Sequence, residues 1–225
     1  MKMRRKADEG AIFSDSGLFL IFSVETIAVF DLNQTLYSKP SKDEFFKFVC
    51  FKKPHTLWNS LQIAWWYFLK NRGLIGETRF KENFFNYLDG IHPDKVAEYA
   101  RDFWRMEFPK HFNADVLAEV ERLKREGIKC CICSGAMAVY MNPLKEFLPM
   151  DRYISTKTVY KGGTYKIVGE SCDDTYKLVL IREVYGDDVR ILEAYSDQAE
   201  PMLDAAEKPF MVENGKIRPY VKKES

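Results

Sequence analysis

Three short apolar runs of the chain end in side chains that could act together on a phosphate group. They lead to Asp31, to Ser134 and to Asp197. Apolar runs without polar alternation are typical of strands buried on both faces of a parallel sheet. The carboxyl ends of such strands form the binding crevice of an open α/β sheet, so we expect the three side chains to meet. Two carboxylates and a hydroxyl at one crevice suit metal binding and phosphoryl transfer.

The residues around these strand ends resemble motifs of the haloacid dehalogenase superfamily. The matching segments are residues 27–36 (IAVFDLNQTL), residues 131–135 (CICSG), Lys177 and residues 194–197 (AYSD), in the order and approximate spacing of that family. The resemblance runs from Thr26 to the region of Tyr220. Within the superfamily it is similar to phosphoserine phosphatase and related small phosphatases with a helical cap. It implies a Mg²⁺-dependent phosphatase that hydrolyses a phosphomonoester.

The resemblance implies a catalytic and metal-binding role for residues at two of the strand ends. Asp31 would be the nucleophile that attacks phosphorus and forms an aspartyl-phosphate. Asn33 stands at the catalytic acid/base position, and its backbone carbonyl would bind the metal. Mg²⁺ would thus be held by Asp31, the Asn33 carbonyl and Asp197, together with phosphate oxygens and water. Glu200 is the candidate for a further acidic metal ligand.

The resemblance also assigns residues to the substrate phosphate, namely Thr35, Ser134, Gly135 and Lys177. The catalytic Ser134 hydroxyl and the Gly135 amide would bind phosphate oxygens at a helix N-terminus, where the helix dipole favours anions. Lys177 would pair with the nucleophile and the transferring group and stabilise charge during the attack. Lys161 and Lys166 are rival candidates for this lysine, but both fall in a predicted β-hairpin.

Two residues depart from the family pattern, and both affect the expected turnover. The family's phosphatases usually have an aspartate two positions after the nucleophile as general acid and base, whereas this chain has Asn33. An amide cannot exchange that proton, so each step that it serves should slow by about 10²–10⁴-fold. The family also places an acidic residue four positions after Asp197, where this chain has Pro201 preceded by Glu200.

The sequence leaves three explanations of Asn33 open. The residue could be an engineered substitution that traps a complex, or a natural residue in an enzyme that is slow or uses another base. It could also mark a pseudo-phosphatase that binds a phosphoryl ligand without turnover. The altered last motif favours a natural, diverged site over a single engineered change.

The periodicity of the chain predicts an α/β fold, a Rossmann-like parallel sheet core with an inserted all-helical cap domain. Strands are predicted at 27–30, 128–133 and 189–195, helices at 114–126 and 175–185, and a β-hairpin at 158–167. Apolar stripes at helical spacing fill residues 41–112, which we assign to the cap. The core is then 24–40 and 113–225, and residues 1–23 are an N-terminal extension.

The predicted cap contains a tryptophan-rich segment, residues 57–69, with Lys52 and Lys53 before it and Lys70 and Arg72 after it. A helix of this composition could lie in a membrane interface, which would suggest a peripheral lipid-phosphate phosphatase. Aromatic stripes at helical spacing are more often core, so the alternatives are a cap helix buried on most sides or a dimer contact. The sequence favours burial.

Composition and charge narrow the classes of partner. The chain has 34 basic and 33 acidic side chains and a formal net charge of +1, which gives no electrostatic indication of nucleic acid binding. No apolar run approaches the roughly 20 residues of a membrane-spanning helix. Three of the five cysteines, Cys130, Cys131 and Cys133, share one apolar run without a partner pair at metal-ligand spacing, which predicts buried reduced thiols in a cytoplasmic protein. We expect a small phosphorylated metabolite as partner, and the oligomeric state stays undetermined.

Overall fold

The computed structural model describes residues 11–12, 20–21, 24–173 and 175–222. The strands are β1 Ala11–Ile12, β2 Leu20–Ile21, β3 Thr26–Phe30, β4 Lys129–Met137, β5 Arg152–Thr156, β6 Thr158–Lys161, β7 Thr164–Ile167, β8 Arg190–Ser196, β9 Lys208–Glu213 and β10 Lys216–Pro219. The helices are α1 Ser41–Lys52, α2 Asn59–Asn71, α3 Glu77–Phe84, α4 Pro93–Glu107, α5 Ala114–Arg125, α6 Ala138–Met141, α7 Lys177–Tyr185 and α8 Pro201–Ala205. The predicted N-terminal extension, 1–23, lies outside the described residues except for β1 and β2, which pair with each other.

A six-stranded sheet forms the core, in the order β10-β9-β8-β3-β4-β5. All neighbouring strands are parallel except β10, which pairs antiparallel with β9. Ala28 and Phe30 of β3 enter one apolar cluster, and Ile27 and Val29 enter the cluster on the opposite face. Burial on both faces explains why this strand shows no polar alternation. The predicted α/β class with a mostly parallel sheet is confirmed.

The order of the strands reverses at β3. From β3 the chain continues to β4 and β5 on one side of it, and later to β8 and β9 on the other. Crevices at such a reversal, outside the carboxyl ends of the strands, are where open α/β sheets bind ligands. Asp31 directly follows β3 and Asp197 directly follows β8, so both predicted acidic residues lie at this reversal.

Helices α1 to α4 lie between β3 and β4 in the chain and form a layer beside the sheet. Their buried face is largely aromatic and belongs to the same cluster as Phe30 of the sheet. Phe45, Phe80 and Phe84 are among its buried members. Trp104 Nε1 donates to the Tyr140 carbonyl oxygen at 2.7 Å and so joins α4 to the core. Aromatic burial therefore holds the inserted layer against the sheet.

The hairpin of β6 and β7 packs on the same helical layer. Tyr165 OH donates to the carbonyl oxygen of Ile91 at 2.9 Å, and Ile167 N–H donates to Glu82 Oε1 at 2.9 Å. These bonds cross from the second half of the chain to the loop before α4 and to α3. The predicted boundaries of the cap, 41–112, leave out this hairpin, so helices alone do not make up the layer.

Strand β4 extends beyond its predicted end at Cys133, as far as Met137. Its register against β5 shifts between Ser134 and Met137, as it does at a β-bulge. A bulge lets the strand bend without ending. The helix that follows, α6, has only four residues. The predicted helix N-terminus at Ser134 and Gly135 is therefore wrong, because Gly135 lies in extended chain.

The five cysteines are free thiols and all of them are buried, which for Cys130, Cys131 and Cys133 is what the sequence predicted. Cys130 lies on one face of the sheet, while Cys131 and Cys133 lie on the other. Neighbouring residues of a strand point to opposite faces, so Cys130 and Cys131 cannot be bridged. Cys133 faces Cys172 across the core, with a distance of 3.9 Å between the two sulfur atoms.

Candidate active site

Asp31 continues the pairing of β3 and β8 by one residue. Its N–H donates to the carbonyl oxygen of Tyr195 at 2.9 Å, and this bond fixes the position of the backbone that carries the carboxylate. Asp31 and Asp197 both line one cavity of about 550 Å³, which residues of the inserted helices also line. The structure therefore brings together the two carboxylates predicted at the strand ends.

Lys177, the first residue of α7, lies between two buried carboxylates. Its Nζ donates to Asp31 Oδ1 at 2.8 Å and lies 2.7 Å from Glu200 Oε2. Burial opposes the charge of Lys177, but the two carboxylates outweigh burial and raise the pKa of this ammonium above its ordinary value. A permanently charged lysine thus lies beside the predicted nucleophile. The rival candidates, Lys161 and Lys166, are exposed on the hairpin.

Glu200, predicted as a metal ligand, is placed elsewhere by the structure. It directly precedes α8, is buried against Lys177, and is not among the residues that line the cavity. Burial raises the pKa of Glu200 to about 7, and the attraction of Lys177, which is shared with Asp31, only partly offsets it. Glu200 therefore acts on the site through Lys177, since its carboxylate contacts the ammonium.

This buried carboxyl leads to a prediction about pH and stability. Because its pKa is higher in the folded chain than in the unfolded chain, Glu200 stabilises the fold most when it is protonated at low pH. That contribution is lost as the pH rises through about 7. We expect the free energy of unfolding of the native chain, relative to Glu200→Gln, to fall by on the order of 1–3 kcal/mol between about pH 5 and pH 8. Urea unfolding in EDTA measures it, and parallel pH curves for the two proteins would contradict it.

Asn33 joins the end of β3 to the first inserted helix. Its Oδ1 accepts a hydrogen bond at 2.8 Å from the N–H of Ser41, the first residue of α1. The bond satisfies one of the N–H groups that a helix leaves free at its start. Between these two residues the loop turns sharply, and Gln34 has a positive φ of 57°. Asn33 also lines the cavity, so one residue both borders the site and positions α1.

The residues predicted to bind phosphate differ in their access to the cavity. Gly135 lines it, whereas Ser134 and Thr35 are fully buried and are not among its lining residues. Ser134 Oγ accepts from the N–H of Ala136 at 3.3 Å. Thr35 Oγ1 is buried with no hydrogen-bond partner in the part of the chain that the structure describes. The geometry thus favours ligand contact at Gly135, and the roles of Ser134 and Thr35 stay predictions.

The oxygen donors at the cavity suit a hard divalent cation. Burial and the neighbouring charge of Asp31 raise the pKa of Asp197, a repulsion that a bound cation would relieve. Among the described residues, no group of three or more His, Cys, Asp or Glu side chains is arranged to hold a metal ion. Mg²⁺ keeps several waters and binds through one or two carboxylates, so Asp31 and Asp197 with the Asn33 carbonyl fit it.

Three lysines of the inserted helices at the cavity were missed by the sequence reasoning. They are Lys42 of α1, Lys70 of α2 and Lys81 of α3. A Cβ atom added to Gly135 would lie 2.9 Å from Lys81 Nζ, so this ammonium lies against the extended end of β4. The available signal was a lysine inside an aromatic helical stripe, between Phe80 and Phe84. Lysine is almost never buried without a partner, so that pattern indicates a site.

Comparisons with known proteins cover most of the chain. The family model described as haloacid dehalogenase-like hydrolase matches residues 28–200, which include each predicted site residue. Protein CicA of Caulobacter vibrioides is 25% identical over 203 residues, a match that covers 84% of this chain and 87% of that protein.

Solved structures with the same fold include two bacterial proteins. A protein of unknown function from Bordetella pertussis Tohama I has a TM-score of 0.71 and 20% identity, with 83% of this chain and 89% of that chain covered. A phosphoserine phosphohydrolase-like protein from Francisella tularensis has a TM-score of 0.56 and 18% identity, with 83% and 85% covered. At these identities the likeness establishes the architecture of the sheet and the inserted layer.

Proposed function

Because the chain belongs to the haloacid dehalogenase-like hydrolase family, we propose that it is a Mg²⁺-dependent phosphatase that hydrolyses a phosphomonoester through Asp31. The proposal rests on the arrangement around that residue. Lys177 Nζ lies 2.8 Å from the Asp31 carboxylate, and Asp197 and Gly135 line the same cavity. Phosphoryl transfer to an aspartate requires a carboxylate nucleophile and a fixed positive charge beside it. It also requires a backbone segment that is open to the phosphate, here at Gly135.

The reaction would take place in two steps at Asp31. In the first step an Asp31 carboxylate oxygen attacks phosphorus, the bond between phosphorus and the ester oxygen breaks, and the leaving oxygen takes up a proton from solvent water. In the second step water attacks phosphorus and loses a proton to solvent, and the bond between phosphorus and the Asp31 oxygen breaks. Inorganic phosphate is released and the carboxylate is restored. Lys177 stays charged beside the attacking oxygen and stabilises the negative charge that accumulates on the transferring group.

Asp31, Asp197 and the carbonyl of Asn33 are the groups that would hold Mg²⁺, with water completing the shell. When bound, the ion supplies positive charge that reduces the repulsion between the carboxylate and the phosphate dianion. Glu200 keeps Lys177 in position through an ion pair of 2.7 Å. Lys177 thus supports Asp31 by direct contact, and Glu200 supports it indirectly by holding Lys177 in place.

Asn33 determines the expected rate of turnover and supports an alternative function. It lines the cavity at the family's acid/base position, and its amide cannot supply the proton that the leaving oxygen needs. We therefore expect slow turnover. The alternative is a pseudo-phosphatase, in which Lys177 and Gly135 bind a phosphoryl ligand that is never hydrolysed.

Phosphate release and phosphoprotein formation distinguish the enzyme from the pseudo-phosphatase. The chain is incubated with an aryl phosphate in Mg²⁺ or in EDTA, and released phosphate and protein-bound phosphate are measured. An enzyme releases phosphate only with Mg²⁺ and passes through a phosphoprotein that hydroxylamine cleaves. Binding of inorganic phosphate without release and without phosphoprotein would support the pseudo-phosphatase and contradict the phosphatase.

The exposed surface of α2 favours a second candidate, a peripheral phosphatase for lipid phosphates. The apolar α2 face consists of Trp58, the residue directly before α2, and of Leu61, Trp65 and Phe68 of the helix, with exposed fractions of 78, 72, 56 and 44%. Ile63 is the buried residue of this helix in the described structure. The interpretation that most of the segment is buried is therefore wrong, because the inserted layer covers only one side of α2.

Basic side chains border the apolar α2 face. Lys52 and Lys53 precede it and Arg72 follows it, with the Arg72 guanidinium 4.9 Å from the ring centre of Phe68. Exposed tryptophans flanked by cations are typical of helices that lie in the interface of an anionic membrane. No helix in the described ranges is long and apolar enough to cross a bilayer.

We predict that Trp58→Ser combined with Trp65→Ser lowers partitioning to anionic vesicles by about 10-fold or more, because two exposed rings are lost from the apolar α2 face. Co-sedimentation with phosphatidylglycerol vesicles measures it. Met106→Ser, which removes another exposed apolar side chain from α4, is the matched control and should bind as the parent does. Equal sedimentation of the parent and the double variant would rule out membrane attachment through this face.

A further inference from the structure

Two of the five cysteines, Cys133 and Cys172, are close enough in space to react with each other. Their sulfur atoms are 3.9 Å apart, whereas bonded sulfur atoms lie at about 2.0 Å. Cys133 belongs to β4, and Cys172 lies in the irregular segment between β7 and α7, 39 residues further along the chain. The fold, and not the spacing in the sequence, brings the two thiols together.

The two thiols differ in their access to the cavity. Cys172 is among the residues that line it, whereas Cys133 is not. Both are buried from bulk solvent, so a small oxidant would reach Cys172 by way of the cavity. Burial raises the pKa of the Cys133 thiol well above its ordinary value, which lowers its reactivity as a nucleophile. Cys172 is therefore the thiol that an oxidant in the cavity meets first.

The segment that carries Cys172 can move without breaking the sheet. It is neither helix nor strand, and the N–H of Cys172 donates there to Thr156 Oγ1 at 3.1 Å. Cys133, in contrast, is fixed in β4, where it pairs with Ile154 of β5. A bond between the two sulfur atoms requires them to approach each other by about 2 Å, so most of that shift would fall on the segment of Cys172.

A shift of Cys172 would reach the N-terminus of α7. Asp173, the next residue, lines the cavity, and its carbonyl oxygen accepts a hydrogen bond from the N–H of Lys177 at 2.9 Å. The Lys177 ammonium in turn donates to the Asp31 carboxylate at 2.8 Å. A displacement of this turn would therefore move the ammonium relative to the carboxylate beside it.

We propose that Cys133 and Cys172 form an oxidative modification site, at which a hydroperoxide produces a disulfide that displaces the cavity wall and reversibly lowers activity. A hydroperoxide is small enough to enter a cavity of about 550 Å³. Neither thiol has a role in the proposed phosphatase reaction, so formation of the bond does not rest on that function. The effect of the bond on phosphate release does rest on it.

The reaction consumes one hydroperoxide and both thiols. The Cys172 sulfur attacks one peroxide oxygen, the O–O bond breaks, and the thiol proton leaves with the other oxygen as water or an alcohol. This step leaves a sulfenic acid on Cys172. The Cys133 sulfur then attacks the Cys172 sulfur, the S–O bond breaks, and the hydroxyl group leaves with the Cys133 proton as water. The two thiols thus supply the two electrons that reduce the peroxide.

Peptide mapping of the full chain before and after treatment with hydrogen peroxide tests the bond. We expect a linked pair of peptides that contains Cys133 and Cys172 and disappears with dithiothreitol. Phosphate release from an aryl phosphate in Mg²⁺ tests the effect of the bond. We expect oxidation to lower its rate by about 10-fold or more, because small displacements of catalytic groups are costly, and dithiothreitol to restore it.

Two variants separate this pair from other oxidisable residues. Cys133→Ala cannot form the bond, so peroxide should leave its rate of phosphate release within about twofold of the rate before treatment. Cys131→Ala is the matched control, since Cys131 is buried on the same face of β4, and it should lose activity as the parent does. Urea unfolding confirms that each variant is folded.

Absence of the linked peptides after peroxide treatment, or a link through another cysteine, would overturn the inference. An equal loss of rate in Cys133→Ala would assign the loss to another residue, such as an oxidised methionine, and would overturn it as well. Linked peptides with an unchanged rate would contradict the effect on the cavity. If the reduced chain releases no phosphate, only the proposed function fails, and the linked peptides still decide whether the modification site exists.

Discussion

Replacing Asp31 by asparagine is expected to lower kcat/KM for an aryl phosphate by about 10⁴-fold or more. The change keeps the size of the side chain but replaces the attacking carboxylate oxygen by a weakly nucleophilic amide, so the phosphoprotein cannot form. Lys177 keeps Glu200 as its partner at 2.7 Å, so we expect the variant to stay folded. Released phosphate and protein-bound phosphate measure the effect.

A matched control separates the loss of the nucleophile from the loss of a negative charge. Asp94→Asn removes a carboxylate from α4 whose side chain is 94% exposed, and its activity should equal that of the parent. Phosphoprotein formation in Asp31→Asn at the rate of the parent would show that another residue is the nucleophile. In that case the arrangement of Asp31 and Lys177 would have to be structural.

The second prediction is a gain of activity. Asn33→Asp should raise the turnover number by about 10²–10⁴-fold, because an aspartate at this position can protonate the leaving oxygen and then activate water. The hydrogen bond between residue 33 and Ser41 can be kept in this variant. Either carboxylate oxygen can accept the bond from the Ser41 N–H, which spans 2.8 Å in the present chain, and an anion at the start of α1 is favoured by the helix dipole.

Two further variants show whether the gain comes from the new carboxyl group. Asn33→Ala removes the acceptor for Ser41 and should give no gain. Asn214→Asp adds a carboxylate in the exposed turn between β9 and β10 and should leave turnover unchanged. If Asn33→Asp gains nothing while the native chain turns over, the chain uses another acid and base. If neither protein releases phosphate or becomes phosphorylated, the pseudo-phosphatase is correct.

Much of the sheet could be predicted because its signals are local. The apolar segment before Asp31 contains only residues that tolerate burial on both faces, and the same holds for the segment before Ser134. Since a ligand crevice in an open sheet lies at the carboxyl ends of its strands, Asp31 and Asp197 could be grouped before any distance was known. The end of β4 was harder, because a bulge does not change the apolar pattern that predicts a strand.

The roles of individual polar side chains depended on packing between distant parts of the chain. Glu200 was predicted as a metal ligand from its position after Asp197, and only the packing of the N-terminus of α8 shows that its carboxylate contacts Lys177. Lys81 stood out in the sequence only as a lysine within an aromatic helical stripe, and the approach of α3 to Gly135 is what places its ammonium in the cavity. No spacing in the sequence relates α3 to β4, because these contacts form between segments about fifty residues apart.

The sequence by itself determined the class of fold, the position of Asp31 and the presence of an amide at the acid/base position, because strand burial, strand ends and residue identity are local properties. The tertiary structure alone decided which face of α2 is exposed and which lysines line the cavity. A helical stripe shows only that apolar residues share a side. Whether that side meets the core or solvent depends on which other elements reach it, and this is fixed when the whole chain packs.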